Sequence, residues 1–424
     1  MKYMMSMMSE DAKAILLLCG HLGRASGAEP LAQQDYNQVV QWLKSHKLRP
    51  ADLLVPEHVP ILAKDTGIAE GRLTALLKRG VKLAFAVEGW NQSGIWVICR
   101  SDPQYPEQYK RRLKEKAPPI LFGVGERSLL QRCGLAIVGS RNVDADGEAF
   151  ARDVAAWCAR GGMPVVSGGA RGVDQIAMAS ALEAGGVAIG VLADTLLRRS
   201  VSREARDSLA DRRLLLISPY HPEAGFNVGN AMGRNKLIYA LADYALVVSA
   251  DHKKGGTWEG AQEELRRKPA RPVFVRLGDS VPMGNRKLVD LGAVAFPSIA
   301  GSQDPAALLR GTVVARPPQE EEEKLPLFGE FTGGTEEVAV VREAAPVWGG
   351  VSTAPVWSAG PASASIYDVV LPVILAALEK STSIVELAKR LDVSKAQLEV
   401  WLKRALNEKK IRKLNRPVRY ARGD

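Results

Sequence analysis

The feature that most constrains the fold is a series of short apolar runs between residues 135 and 297. Alanine-rich amphipathic stretches, such as EAFARDVAAWCARGG, separate several of these runs. Apolar strands that alternate with helices are typical of βαβ units, whose parallel sheet is covered on both faces. The sequence therefore predicts an α/β fold with a Rossmann-like, doubly wound, mostly parallel sheet. The expected strands are LAIVG (135–139), MPVVS (163–167), VAIGVLA (187–193), RLLLIS (213–218), YALVVS (244–249) and PVFVRL (272–277).

The segments outside this core differ from it in composition and period. Residues 1–94 carry helically spaced apolar positions and predict an N-terminal helical region, either a SAM or helix-hairpin-helix-like module or plain helical packing. Residues 95–315 form the predicted Rossmann-like core. Residues 316–364 are acidic and rich in proline and glycine, which is typical of a flexible linker. Residues 365–424 read as helices followed by the strand pair IRKL and VRYA, the plan of a winged helix.

Charge and motifs narrow the class of function. The net charge of +10 permits binding to phosphate backbones. No Walker A motif and no metal-ligand spacing is present in the sequence, so we expect a protein without cofactor or metal that is not an enzyme. The apolar run near the N-terminus is too short to span a bilayer, and no cleavage pattern follows it. We therefore expect a cytoplasmic protein.

Four segments near the predicted strand ends combine glycines with cations or hydroxyls. Doubly wound sheets bind ligands at the carboxyl ends of their strands, where glycines admit close approach and helix N-termini attract anions. We therefore predict a phosphate-binding edge, with Asp174 either shaping it or capping a helix. Phe226 and Tyr220 are candidates for stacking on a base. The candidate DNA- and phosphate-binding residues are Gly139, Ser140, Arg141, Ser167, Gly168, Gly169, Arg171, Gly172, Arg234, Asn235, Lys236, Gly255, Gly256 and Thr257.

Three stretches in these segments resemble signature blocks of the DNA-processing protein A (DprA/Smf) family. They are AIVGSR, SGGARGVDQIAMASALEAGG and SPYHPEAGFNVGNAMGRNKLIYALADYALVVSA. The resemblance implies a protein that binds single-stranded DNA, forms a homodimer and helps to load a RecA-type recombinase during transformation. Arg234-Asn235-Lys236 departs from the family's Arg-Asn-Arg, and the linker is unusually long, which suggests a divergent or defence-associated member.

Two other classes of function stay open at this point. Gly255-Gly256-Thr257, with Glu259 as an acid, resembles a turn found in phosphoribohydrolases, so a Rossmann enzyme that binds or cleaves a nucleotide is one alternative. A regulatory, antitoxin-like interaction protein whose core has lost DNA binding is the other. Within the linker, the peptide from Lys324 to Phe328 resembles the short apolar motif that docks on the DNA sliding clamp. We therefore treat the clamp as a candidate partner.

Overall fold

The computed structural model describes residues 8–22, 28–132, 134–314 and 366–378, together with some of the positions from 381 to 422. It divides into two compact units, Met1–Glu323 and Lys324–Asp424. The predicted linker and the clamp-like peptide lie outside the described residues. No helix in the described ranges has both the length and the apolar character needed to cross a membrane.

The first unit is built on a sheet of nine strands within the described residues, in the order β1-β2-β6-β5-β4-β3-β7-β8-β9. Strands β3 to β9 run parallel, and β1 and β2 add an antiparallel edge. All six predicted strands form inside their expected runs, so the doubly wound, mostly parallel sheet is confirmed. The strands are β1 (Trp96–Cys99), β2 (Ile120–Gly125), β3 (Leu135–Gly139), β4 (Val165–Ser167), β5 (Ala188–Val191), β6 (Leu214–Ser218), β7 (Tyr244–Ser249), β8 (Val273–Val275) and β9 (Val294–Ala295).

Helices cover this sheet on both faces. They are α1 (Glu10–Cys19), α2 (Gln33–Ser45), α3 (His58–Thr66), α4 (Glu70–Leu77), α5 (Gly80–Gln92), α6 (Glu107–Leu113), α7 (Ala145–Arg160), α8 (Val173–Glu183), α9 (Leu196–Ser200), α10 (Arg203–Ala210), α11 (Val228–Leu241), α12 (Gly255–Arg266), α13 (Met283–Asp290) and α14 (Pro305–Val314). Short 3-10 turns lie at Pro50–Leu54, Lys114–Lys116 and Arg127–Gln131.

The alternating side chains of β3 show which helices pack on each face of the sheet. Ala136 and Val138 pack with α6, α11, α12 and α13, whereas Leu135 and Ile137 pack with α7, α8 and α14. Successive side chains of a strand point to opposite faces of the sheet. A strand in a sheet that is covered by helices on both faces therefore needs apolar residues without interruption. Burial of these runs leaves the strand ends as the place where polar side chains can gather.

The N-terminal helices α1 to α5 share a hydrophobic cluster with the sheet. Leu73 and Leu76 of α4 pack in the same cluster as Phe122 of β2 and Leu216 of β6. The predicted helical region is thus present, and it belongs to the same compact unit as the sheet. It covers the side of the sheet where β1 and β2 extend it.

The second unit contains α15 (Ile366–Ala377) and an antiparallel ribbon of β10 (Ile411–Asn415) and β11 (Val418–Arg422). The ribbon is the predicted strand pair. Ser383 and Glu386 form a reciprocal capping box, in which the Glu386 amide donates to Ser383 Oγ at 3.3 Å and the Ser383 amide donates to Glu386 Oε2 at 3.2 Å. The winged-helix assignment of the whole unit stays a prediction.

Candidate nucleic-acid interface

The order in which the chain adds strands to the sheet reverses between β3 and β7. From β3 the chain proceeds to β4, β5 and β6 on one side, and it returns to β7, β8 and β9 on the other. The loops after β3 and β7 therefore diverge and leave a crevice at the carboxyl edge, which is where open α/β sheets bind ligands. The four segments predicted from the sequence converge at this crevice.

A cavity of about 510 Å³, here named the switch-point cavity, lies in the crevice. The β3 loop contributes Gly139 to Arg141, α11 contributes Arg234 and Asn235, and the start of α12 contributes Gly255 to Thr257. Ala170 of the β4 loop and Asp174 in the first turn of α8 also line the cavity. Residues of all four segments, which are distant in the sequence, thus line one cavity.

Two further cavities, of about 410 and 580 Å³, continue from the switch-point cavity across the ends of β4 and β5 and along α7 and α8. Arg141 borders all three cavities. We name the two outer cavities the arginine groove, which is defined by Arg141, Arg152, Arg171 and Arg199. Glu148 and Asp194 also line the groove, so its cations outnumber its carboxylates and favour an anionic ligand.

Arg141 and Phe226 form the exposed centre of the groove. The guanidinium carbon of Arg141 lies 5.3 Å from the centre of the Phe226 ring, a cation–π geometry. Phe226 is 56% exposed, an unusual exposure for a phenylalanine and one that leaves its ring available for stacking. Tyr220, the other predicted stacking residue, is half-buried, and its hydroxyl donates to the carbonyl of Asn230 at 3.0 Å. The structure therefore favours Phe226 over Tyr220 as a base platform.

Arg171 and Arg199 extend the positive surface on either side of Gly169. Arg171 is exposed, and its Nη2 donates to Asn142 Oδ1 at 2.5 Å. Arg199 donates to the carbonyl of Gly169 at 2.7 Å, which brings α9 against the β4 loop. Sequence reasoning missed Arg199, although the pair Arg198-Arg199 shortly after the β5 run was a visible signal.

Arg234, one of the candidate phosphate-binding residues, lies within a helix and is buried. Helix α11 begins at Val228, so Arg234 lies in the middle of the helix, away from the positive end of its dipole. It is 5% exposed, and its Nη1 donates to the carbonyl of Val191 at 2.6 Å. Burial lowers the pKa of Arg234, and the neighbouring Asp174 opposes this effect. Arg234 is therefore a buried anchor between α11 and β5.

Asp174 is the buried carboxylate that faces this arginine. Burial raises the pKa of Asp174 above its usual range, whereas Arg234 and backbone amides that include those of Gly139 and Gly168 lower it. A Cβ at position 168 would collide with Arg234 Nη1 and approach Asp174 Oδ2, so only glycine leaves room for the pair. Of the two sequence interpretations of Asp174, the geometry favours the one in which it shapes the site.

Two other predicted residues, Ser167 and Asn235, have hydrogen-bond partners within the protein, and Lys236 lies away from the cavities. Ser167 is buried, and its hydroxyl donates to the carbonyl of Ile137 at 2.6 Å rather than facing a ligand. Asn235 Nδ2 donates to the carbonyl of Gly256 at 3.0 Å and joins α11 to α12. Lys236 is half-buried, with a pKa lowered by burial, and is absent from the lining of the three cavities. Of these three residues, only Asn235 lines one of the cavities.

Gly172 fixes the approach of the β4 loop to the β3 loop. Its φ of +87° is in the left-handed region, and a side chain there would collide with the carbonyl of Ser140. The close approach holds Arg141 and Arg171 at the same edge. Within the described residues no group of histidine, cysteine, aspartate and glutamate side chains could hold a metal ion.

The chain is similar to proteins with named roles in DNA processing. The family model described as DNA recombination-mediator protein A matches residues 96–301. DNA processing protein DprA of Bacillus subtilis is 29% identical over 218 residues, which cover 51% of this chain and 72% of the relative. Protein Smf of Escherichia coli is 32% identical over 208 residues, which cover 48% of this chain and 50% of the relative.

The fold also matches a solved structure. The X-ray structure of DNA processing protein A from Streptococcus pneumoniae superposes with a TM-score of 0.54 at 20% identity. The match covers 69% of this chain and 95% of that chain. At this level of identity the likeness supports the fold, and the site rests on the geometry described above.

Proposed function

This chain belongs to the DNA-processing protein A (DprA/Smf) family through residues 96–301, and on that premise we propose that it binds single-stranded DNA along the arginine groove. The observation that carries the proposal is the exposed pair of Arg141, which borders all three cavities, and Phe226, which borders two of them. Arginine provides a forked donor for phosphate, and an exposed ring provides a face on which a base can stack.

The geometry favours a single strand over a duplex. Among the described residues the groove is concave and is lined by loop ends and by residues of α7 and α8, whereas a major groove is read by a projecting helix or ribbon. Stacking on Phe226 requires an unpaired base. The side chains that define the groove are arginines suited to backbone phosphates, so we expect little preference for base sequence.

The proposal also includes the partners that the resemblance to the family implies. We propose that the protein acts by binding in the cytoplasm rather than by catalysis, as a homodimer that passes single-stranded DNA to a RecA-type recombinase, in transformation or in phage defence. The matched family is described as a recombination mediator, which supports this direction. A contact between Lys324–Phe328 and the sliding clamp is a further part of the proposal.

A strand-preference measurement tests the proposed function. Fluorescence anisotropy would compare the full chain on a labelled oligo-dT of about 30 nucleotides with a duplex of equal length. We expect the single strand to bind at least about 10-fold more tightly, because only unpaired bases can stack on the exposed ring. Equal affinity for the two would reject the proposal in favour of a general basic surface.

A further inference from the structure

The surface of α9 and α10 carries exposed arginines that lie outside the three cavities. Between residues 196 and 213 the chain has six arginines and three carboxylates. Arg199 borders the arginine groove, whereas Arg198, Arg203 and Arg206 are exposed and line none of the three cavities. We name these last three residues the α9–α10 patch. The patch adjoins the groove, because Arg198 and Arg199 are neighbours in α9.

Packing on the inner side of these two helices fixes the direction of the patch. Leu196 of α9 and Ala205 of α10 are buried in the hydrophobic cluster that also contains residues of β6. Ser208 of α10 is buried on the same side of its helix. With 3.6 residues per turn, the two patch residues of α10 lie on the opposite side from Ala205 and Ser208. The patch is therefore held on the outer surface of a packed segment.

The guanidinium groups of the patch have no hydrogen-bond or ion-pair partner in the part of the chain that the structure describes. By contrast, Arg213 of the same segment donates to Asp211 at 2.9 Å and to the carbonyl of Leu182 at 2.8 Å. Like charges three residues apart disfavour a helix, so Arg203 and Arg206 do not serve the stability of α10. Their charges are left for an anionic partner.

The composition of the segment indicates contact with a phosphate backbone rather than with bases. No aromatic residue lies between 196 and 213, so the segment has no ring on which a base can stack. Its donors are guanidinium forks, which match the oxygens of a phosphate. Glu204 and Asp207 are also exposed on α10, but arginines remain in excess in the segment. Contacts of this kind do not depend on whether the bases are paired, unlike stacking on Phe226.

We propose that the α9–α10 patch binds the phosphodiester backbone of DNA that leaves the arginine groove. The inference rests on the proposed function, because the groove supplies the strand and Arg199 lies where groove and patch meet. The flanking DNA has two forms, a continuing single strand or a duplex joined to it, and both present the same backbone. The chain therefore binds a single-stranded tail beside a duplex more tightly than it binds the tail alone.

Fluorescence anisotropy on the full chain compares three kinds of labelled DNA. They are a short oligo-dT of about 12 nucleotides, a long oligo-dT of about 30 nucleotides, and the short oligo-dT joined at its 5′ or 3′ end to a duplex of about 18 base pairs. The short probe reports on the groove, and the two longer probes add DNA that can reach the patch. In the wild type the slope of log K against log salt should be steeper by about 2 on the long oligo-dT than on the short one.

The arginine variant removes all three cations of the patch and combines Arg198→Ala, Arg203→Ala and Arg206→Ala. It should bind the long oligo-dT, the tailed duplex or both at least about 10-fold more weakly, because three phosphate contacts are lost. Its affinity for the short oligo-dT should stay within about 2-fold of the wild type, and the extra salt dependence on the long oligo-dT should disappear. Weakening on the long oligo-dT identifies the flanking DNA as a continuing strand, and weakening on the tailed duplex identifies it as a duplex.

A matched control removes the same net charge from the N-terminal helices and combines Lys44→Ala, Lys64→Ala and Lys78→Ala. These lysines are exposed on α2, on α3 and at the end of α4. The control should bind every probe as the wild type does, because the three lysines lie outside the groove and the patch. Both variants change exposed side chains only, so their Tm should stay close to that of the wild type.

Two results would overturn the inference. Equal weakening in the arginine variant and the lysine control would show a general effect of net charge. Unchanged binding of both longer probes in the arginine variant would exclude the patch from the DNA path. Failure of the proposed function gives a different result, in which the wild type does not bind the short oligo-dT but the arginine variant still loses affinity for the longer probes. That pattern would reject the groove and retain the patch as a DNA-binding surface.

Discussion

Arg234 Nη1 donates a hydrogen bond to the carbonyl of Val191 at 2.6 Å, and this contact joins the middle of α11 to the end of β5. Arg234, a candidate DNA ligand from the sequence, thus has a structural contact inside the protein while it also borders the cavities. Its charge is balanced inside the protein by Asp174, with Gly168 leaving the space for both. Arg141 and Arg171, by contrast, are exposed at the same edge of the sheet.

We predict that Arg234→Ala destabilises the protein. The change leaves Asp174 as a buried carboxylate without its cation and removes the bond to Val191, so the free energy of unfolding should fall by about 3–5 kcal/mol. Thermal denaturation followed by circular dichroism measures the effect. Adding Asp174→Asn to Arg234→Ala should recover part of the loss, because it removes the uncompensated charge. A Tm equal to that of the wild type would show that the buried pair contributes nothing.

We predict the opposite pattern for Arg141→Ala. Arg141 is exposed, so the free energy of unfolding should change by less than about 0.5 kcal/mol. Loss of its phosphate contact should weaken binding to oligo-dT by about 1–3 kcal/mol. Arg310→Ala, an exposed arginine of α14 outside the three cavities, is the control and should bind as the wild type does. Unchanged affinity in Arg141→Ala would remove the arginine groove from the DNA path.

We predict a steep dependence of DNA binding on salt. Neutralisation of three strand phosphates by Arg141, Arg171 and Arg199 should give a slope of log K against log salt of about −2, since each contact to a single strand contributes about −0.7. Titrations at several salt concentrations measure the slope. In Arg171→Ala it should become shallower by about 0.7. A flat dependence in the wild type would exclude ionic contacts as the source of affinity.

We predict that the chain truncated after residue 323 folds and still binds oligo-dT. Unit Met1–Glu323 contains three buried hydrophobic clusters of its own, so its folding does not require the second unit. Binding should weaken by less than about 10-fold, because only the cations of residues 324–424 are lost. Circular dichroism and anisotropy measure the two properties. A folded truncation that binds no DNA would transfer the main site to residues 324–424.

We predict that protonation of His221 destabilises the fold. Its ring packs edge-on against Trp90 of α5 and Phe122 of β2, with centroids 6.0 and 6.3 Å apart. Burial lowers the pKa of His221 below its usual value, and Glu223 opposes the shift. The unfolded chain therefore takes up the proton first, so stability is complete above about pH 6.5 and declines as the pH falls below it. His221→Gln should show a smaller fall in Tm between pH 7.5 and pH 5.5, values on either side of about 6.5.

The central strands could be predicted from sequence because burial on both faces of the sheet requires a continuous run of apolar residues in each strand. LAIVG and YALVVS need apolar residues at every position, so each strand is readable without knowledge of its neighbours. Strands β1, β2 and β9 were not among the predicted strands; β1 pairs with β2 at one edge of the sheet, and β9 pairs with β8 at the other. The capping box of Ser383 and Glu386 was predictable for a similar reason, since its two partners are three residues apart.

The sequence by itself determined the strands, their order along the chain and the polar loops that follow them. Only the tertiary structure decided which polar side chains face a ligand. Arg234 and Arg141 follow similar glycine-containing segments, yet one is buried against Val191 and the other is exposed beside Phe226. Arg199 enters the site because β5 is the neighbour of β4 in the sheet. The periodicity of a segment reports how much of it is buried, but the direction and partner of a side chain depend on strands and helices that are distant in sequence and adjacent only after folding.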